Sequence, residues 1–405
     1  MTDVTDTAAT AAAIPAASEA RSTPTAASEA RSTPTAASEA RSTPTAAPAA
    51  PAAPAARPGT PRTALRRGIL IGGLSIALLV AIVWSAGSGQ LQIPPGEVWA
   101  SILRSLGLSD APEAVPNADS ALWTIRFPRV AMAILIGAAL AIAGTVMQAV
   151  FANPLAEPGI VGVSSGAALG AAASIVLGWT AFGEWATAGA AFAAGLATTL
   201  IVYFASRSGG RTEVVTLVLT GIAINAFAQG ALALFTFLGD TQSREEIVFW
   251  QLGSLNGARW SEVAVMLPLV AVGIAISFVL ARRLDLFSLG ERGARHLGVH
   301  VERVRIVSIV VVAVLTCAAV AFAGIIAFVG LIVPHLMRMV IGPAHRPLLV
   351  AGALGGALLL VLADLFARTA VPMADLPIGM LTSLVGGPFF FWLLRRTRKR
   401  SGGWG

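Results

Sequence analysis

The sequence predicts an all-α, polytopic membrane protein with ten transmembrane helices. Of its 405 residues 56% are hydrophobic and only 12% charged, where an average soluble domain carries roughly 25% charged residues. After Arg67, apolar runs of about 20 residues recur, the length a helix needs to cross a hydrocarbon core about 30 Å thick. Membrane strands would instead show alternating segments of about ten residues.

Residues 1–67 stand apart. The unit "ASEARSTPTA" starts at Ala17, Ala27 and Ala37, and an Ala/Pro stretch then reaches Arg62. Small side chains bury little area and recurring prolines interrupt helix, which predicts a disordered cytoplasmic tail rather than a stacked repeat domain. The tail also makes an unconvincing secretory signal, because the apolar run begins only after "RRG" at 66–68, far beyond the usual position, and that run reads as a retained first transmembrane helix.

The spans follow at 68–88, 128–150, 160–179, 184–206, 214–238, 260–281, 304–323, 325–341, 347–368 and 377–395, and a basic, Gly-rich tail occupies 397–405. The seventh and eighth are divided at Gly324, because one helix cannot accommodate the continuous run from Val304 to Ile341. Basic residues of short loops favour the cytoplasmic side. With both termini inside, Arg66, Arg67, Arg207, Arg211, Arg282, Arg283, Arg292, Arg295, Arg303, Arg305, Arg338, Arg346 and the Arg395–Arg400 cluster fall inside. Arg104, Arg126, Arg129, Arg244, Arg259 and Arg368 fall outside.

That asymmetry accounts for the net charge of +7 without nucleic acid, for which the chain offers neither recognition module nor aromatic platform. Cys317 is the only cysteine, so neither an intrachain disulfide nor a cysteine zinc site is available. No GxxxxGK[ST] loop occurs, and the only lysine is Lys399. This chain cannot supply the usual phosphate-binding lysine, so any ATP must be hydrolysed by another subunit.

Inside the membrane region, "FANPLAEPGIVGVSSGAALGAAA" from Phe151 carries Pro154 and Pro158, which resist helix, and Gly159 and Gly162, which permit a tight re-entry. Ser164 or Ser165 can cap the helix that follows. Gly166 with Gly170, and Gly352 with Gly356, form small-xxx-small faces suited to intrachain packing. Asp364 is an intramembrane carboxylate with Arg368 four residues later on the same face, which favours structural pairing over ion coupling. Pro334 bends the eighth span beside His335, and Asn225 suits a helix-to-helix hydrogen bond or a place on a pathway.

The charged interruption "SLGERGARHLGVHVERVR" begins at Ser288. Ser288 with Glu291 fits a capping box; Leu289, Gly293 and Leu297 recur on one face; Gly298 ends the short helix. His296 and His300 lack the third and fourth ligands a zinc site needs, so they read as a polar contact surface.

The segments "WTIRFPRVAMAILIGAALAIAGTVMQAVFANPLAEPGIVGVSSGAALG", "FWQLGSL", "LGERGARHLGV", "FVGLIVPHLMR" and "ADLPIGMLTSLVGGPFF" together resemble FecCD-type ABC-importer permeases for iron-siderophores, haem and cobalamin. The resemblance runs through residues 68–396 and implies a vitamin-B12-importer-like type II permease fold with ten helices per subunit. It implies a homodimer in the bacterial cytoplasmic membrane, two ATPase subunits using ATP and Mg2+, and an extracytoplasmic binding protein. No cofactor is implied in this chain.

By that resemblance residues 288–298 form the coupling helix region, with Ser288, Leu289, Gly290, Glu291, Gly293, Ala294, Arg295, Leu297 and Gly298 meeting the ATPase. Arg126, Arg129 and Arg368 engage acidic residues of the binding protein, and Asn225, Phe227, Phe249 and Met380 are candidates for the pathway or outer gate. The expected cargo is a ferric siderophore, with haem or cobalamin as the alternative. An ion-coupled secondary transporter, suggested by Asp364, and a membrane anchor whose tail captures partners are the readings from other classes.

Overall fold

The computed structural model describes residues 61–208, 211–372 and 374–400. Residues 1–60 of the tail predicted over 1–67, and the last residues, 401–405, lie outside the described residues. The first helix, α1 (Pro61–Gly87), begins before Arg67, so the last residues assigned to the tail are helical. A short helix α2 (Pro95–Ser105) precedes α3 (Ala118–Ser120), which runs through a π-turned stretch, Ala121–Arg126, into α4 (Phe127–Val150). A 3-10 turn at Pro158–Val161 leads to α5 (Val163–Val176) and then α6 (Ala186–Ala205). Strands β1 (Arg207–Ser208) and β2 (Arg211–Thr212) pair antiparallel, with Arg207 opposite Thr212. The remaining helices are α7 (Val214–Leu238), α8 (Thr241–Leu252), α9 (Trp260–Phe287), α10 (Gly290–His296), α11 (Val301–Ala323), α12 (Val329–Ile341), α13 (His345–Thr369) and α14 (Ile378–Arg400).

Among the described residues seven helical runs are long and apolar enough to cross a membrane: α1, α3 with α4, α6, α7, α9, α11 and α13. Three of the predicted spans fall on shorter apolar stretches, α5, α12 and Ile378–Trp392 of α14. In α5 and α12 the shortness has a local cause. The proline-rich re-entry uses up the chain before α5, and α11 is separated from α12 by a non-helical stretch beginning at Gly324, whose φ of +67° suits a residue without a Cβ. Phe328 also adopts a positive φ, +68°, and its amide donates to the Glu157 carboxylate at 3.2 Å. That bond offsets an uncommon backbone conformation at the start of α12.

The bundle is built around α4. Of its apolar window 83% is buried within the chain, against 17% for α1 and 22% for α7, so α4 is the axle and those helices are peripheral. Small residues make this possible, because lipid gives helices little hydrophobic reason to associate and close backbone approach must do the work. A Cβ on Gly137 would collide with the carbonyl of Gly356 on α13, and one on Gly144 with the carbonyl of Gly330 on α12. Gly166 and Gly170 let α5 approach Thr198, Ala194 and Ala190 on α6 in the same way. Intrachain packing therefore explains these small faces; Gly352 differs, meeting only Thr145 Oγ1 at an ordinary 3.4 Å.

Pro334 lacks an amide proton, which frees the carbonyl four residues earlier, that of Gly330. The buried Gln148 side chain of α4 answers it: its Nε2 lies 3.2 Å from the Leu331 carbonyl oxygen and 3.5 Å from that of Gly330. A gap in one helix's main-chain bonding is thus filled by a side chain of the axle.

Candidate functional site

Chemistry-bearing residues gather at the two ends of the bundle. At one end the start of α4, the end of α13 and the turn after α1 meet. Arg129 donates from Nε to Asp364 Oδ1 at 2.8 Å and from Nη1 to Asp375 Oδ2 at 2.7 Å. Arg368 places its Nε 3.5 Å from Asp364 Oδ2, an ion pair without hydrogen-bond geometry, while its Nη1 donates to the Ser88 carbonyl at 2.7 Å and its Nη2 to Ser85 Oγ at 2.7 Å. Arg126 donates to the main-chain carbonyls of Ala86, at 2.6 Å, and Leu91, with no carboxylate partner among its hydrogen bonds or ion pairs.

Asp364 is only 1% exposed and Arg126 and Arg129 8% each, so these are interior groups whose charges need compensation. The expected pairing of Asp364 with Arg368 is present. Arg129 joins it, a partner that helical spacing within one segment could not reveal. Asp375, which lies in the quoted "ADLPIGM" motif, completes the group from the chain beyond α13. The three arginines line a cavity of about 630 Å³ together with Gly89, Gln92 and Asp375. Gly89, at φ +146°, keeps its wall thin: a Cβ there would stand 3.0 Å from Arg126 Nη2.

The opposite end holds α10. Ser288 and Glu291 do not form the predicted capping box. Leu289 takes the position before the helix, with no side-chain cap, because α9 continues to Phe287 and Ser288 closes it, donating from Oγ to the Asp285 carbonyl at 2.7 Å. Glu291 turns instead to Arg295, at 3.1 Å, and to Arg305.

The far end of α10 behaves as the sequence predicts. Gly298 adopts φ +80°; its amide bonds to the Arg295 carbonyl at 2.9 Å and the Val299 amide to the Ala294 carbonyl at 3.0 Å. This double closure is a Schellman motif, with Val299 and Ala294 both buried beneath it. Ala294 anchors the inner face of α10, whereas Leu289 and Leu297 are 60% and 59% exposed. A rigid short helix thus presents two leucines outward beside Gly293.

Beneath α10 lies Arg305, 2% exposed. Its Nη2 donates to Glu291 Oε1, and its Nη1 donates to the Thr212 carbonyl at 2.8 Å and lies 3.4 Å from Glu302 Oε2. Glu302 also accepts from Thr212 Oγ1 at 2.7 Å and from the Tyr203 hydroxyl at 3.1 Å. Sequence reasoning counted Arg305 as one more loop cation and missed its burial.

The four pathway candidates separate. Asn225 binds the re-entrant segment, donating from Nδ2 to the Gly159 carbonyl at 3.3 Å and accepting from the Ser165 hydroxyl. Phe227 and Phe249 are 71% and 65% exposed, and Met380 is half-buried near the start of α14. The "FWQLGSL" segment is woven into the break between α11 and α12: the Ser254 amide bonds to the Ala323 carbonyl at 2.8 Å and the Ile378 amide to the Gly253 carbonyl at 2.9 Å. Among the described residues no group of three or more His, Cys, Asp or Glu side chains could hold a metal ion.

The model of the FecCD transport family matches residues 77–396. The chain belongs to the FecCD transport family. It is 39% identical over 342 residues to the hemin transport system permease protein HmuU of Yersinia pestis, covering 83% of this chain and 98% of that one. It is 43% identical to the cobalamin import system permease protein BtuC of Halobacterium salinarum over 70% of this chain and 76% of that protein. A solved structure described as an inward-facing conformation of a metal-chelate type ABC transporter superposes with a TM-score of 0.71 at 31% identity, covering 81% of this chain and 99% of that one. This FecCD member is therefore an all-α polytopic permease of the BtuC-type importer fold, a transport protein without an enzymatic role.

Proposed function

We propose that this permease imports a metal–tetrapyrrole, haem or cobalamin, as the membrane subunit of an ATP-driven importer. The observation that carries the choice is the near full-length likeness to a hemin permease, 98% of that protein at 39% identity, with cobalamin permeases next to it. A ferric siderophore, the cargo first expected from the sequence, has weaker support than these alternatives.

In this reading two copies span the cytoplasmic membrane, each with ten helices and both termini inside, and the cargo passes between them. The Arg126, Arg129 and Arg368 end faces outward and receives an acidic binding protein, whose charges guide encounter and register. The α10 end meets two ATPase subunits that hold ATP and Mg2+. Asn225, Phe227, Phe249 and Met380 belong to the pathway or its outer gate. Asp364 pairs with two guanidinium groups, which supports structural pairing over ion coupling.

The deciding experiment reconstitutes the permease with its ATPase and binding protein in liposomes and offers hemin, cyanocobalamin and a ferric siderophore in competition. ATP-dependent uptake of hemin or cyanocobalamin, unaffected by excess siderophore, is expected. Uptake of the siderophore alone would overturn the cargo assignment, and uptake driven by an ion gradient without ATPase would overturn the class.

A further inference from the structure

We infer that Arg305 is a positioning residue, the joint through which movement of α10 reaches α7. The inference rests on the import reading above, in which the ATPase pushes on α10.

Two routes out of α10 are covalent, because α9 ends just before it and α11 begins just after it. Helix α7 has no such link. It starts at Val214, immediately after the β1–β2 hairpin, and that hairpin is fastened to the root of α11. The Thr212 main chain gives its carbonyl to Arg305 at 2.8 Å and its side chain donates to Glu302 at 2.7 Å. Tyr203, at the end of α6, donates to the same Glu302 at 3.1 Å. Arg305 then carries the connection across to α10 by donating to Glu291. One guanidinium therefore ties the ATPase-facing helix to the turn from which α7 grows.

The residue type fits the task. A planar guanidinium aims separate donors at two partners in fixed directions, which a lysine ammonium cannot do. Arg305 itself is 2% exposed, so its side is screened less than a surface arginine would be, although Glu291 remains 46% exposed. Downstream, α7 carries Asn225, whose side chain grips Gly159 and Ser165 on either side of the re-entrant turn. Displacement of α10 thereby has a route, through these bonds and the length of α7, to the segment that leads into α5.

The test uses the full complex in proteoliposomes with Arg305→Gln, Arg305→Lys and Thr212→Val. Arg305→Gln is expected to assemble with the ATPase and keep basal hydrolysis while cargo uptake per ATP falls about tenfold, a size typical of coupling between sites. Arg305→Lys should rescue little of this. Thr212→Val keeps the side-chain shape and removes only the hydroxyl donor, so it guards against simple misfolding; a loss of about threefold is expected.

Spin labels at Arg292 and Val215 add a readout that stability alone would not move. In the wild type their separation should stay the same between nucleotide-free and ATP-trapped states, and in Arg305→Gln it should shift. Wild-type uptake per ATP in the variants, or labels that move independently in the wild type, would overturn the joint. A wild-type complex without any ATP-driven uptake would sink the import reading instead, and the label pair measured with and without bound ATPase would still decide the joint.

Discussion

At one end of the bundle two of three neighbouring guanidinium groups pair with two carboxylates; at the other, one buried guanidinium is shared by two. Arg126, Arg129 and Arg368 face only Asp364 and Asp375, and Arg126 spends its donors on main-chain carbonyls. That cluster holds three guanidinium groups against two carboxylates beside a cavity. Arg305 instead spends both of its terminal nitrogens on Glu291, Glu302 and the Thr212 carbonyl. The same residue type thus leaves one cluster with a guanidinium that has no carboxylate partner and, at the other end, ties separate elements together.

The largest test of this contrast removes the carboxylate that holds the receptive end together. Asp364→Ala leaves Arg129 and Arg368 buried beside one another, and a thermal melt in detergent should show a loss of about 3–5 kcal/mol, the usual cost of stripping one partner from a buried pair. A melt unchanged within error would mean that the arginines find water on their own.

Next come the exposed leucines of α10. Leu297→Asp should leave the melt alone and weaken co-purification with the ATPase by about 2 kcal/mol or more, as for a central interface anchor, with binding-protein docking unaffected. Loss of both interactions would show that the two ends are not separable.

Arg126→Ala should act in the opposite sense, slowing association of the binding protein about tenfold at low salt, with the difference shrinking as salt rises. Stopped-flow titration measures this; a salt-independent change would indicate a packing defect. The smallest effect is expected at Arg259, whose ion pair with Glu184 is 62% and 58% exposed on its two sides. Arg259→Ala should cost under about 1 kcal/mol in the same melt, and a larger loss would show that exposure alone is a poor guide to what these charges do.

Much of the architecture was legible because membrane solvent writes it in long apolar runs. The predicted break at Gly324, the re-entry before α5 and the glycine end of α10 each followed from what proline and glycine do to the backbone. The capping role of Ser288 was not legible, since the residue sits where two helices compete for it and the longer α9 takes it. Arg129 with Asp364, and Arg305 with Glu291 and Thr212, join positions far apart in sequence. Periodicity reports a residue's own helix and says nothing of which distant element it meets. Gln148 was the nearest to being readable: the carbonyl released by Pro334 needed a donor, and a lone glutamine in an apolar run was the kind of residue to supply it.

The glycine contacts of α4 carry a dynamic consequence. Gly137 and Gly144 lie two turns apart on one face, and each rests on the main chain of a different helix, α13 and α12. Backbones touching in this way cannot part by a side-chain rotation; they separate only if whole helices do. During any opening and closing of the transporter, α4, α12 and α13 should therefore travel as one block, and the amides of α4 between Gly137 and Gln148 should be the last in the chain to exchange with deuterium.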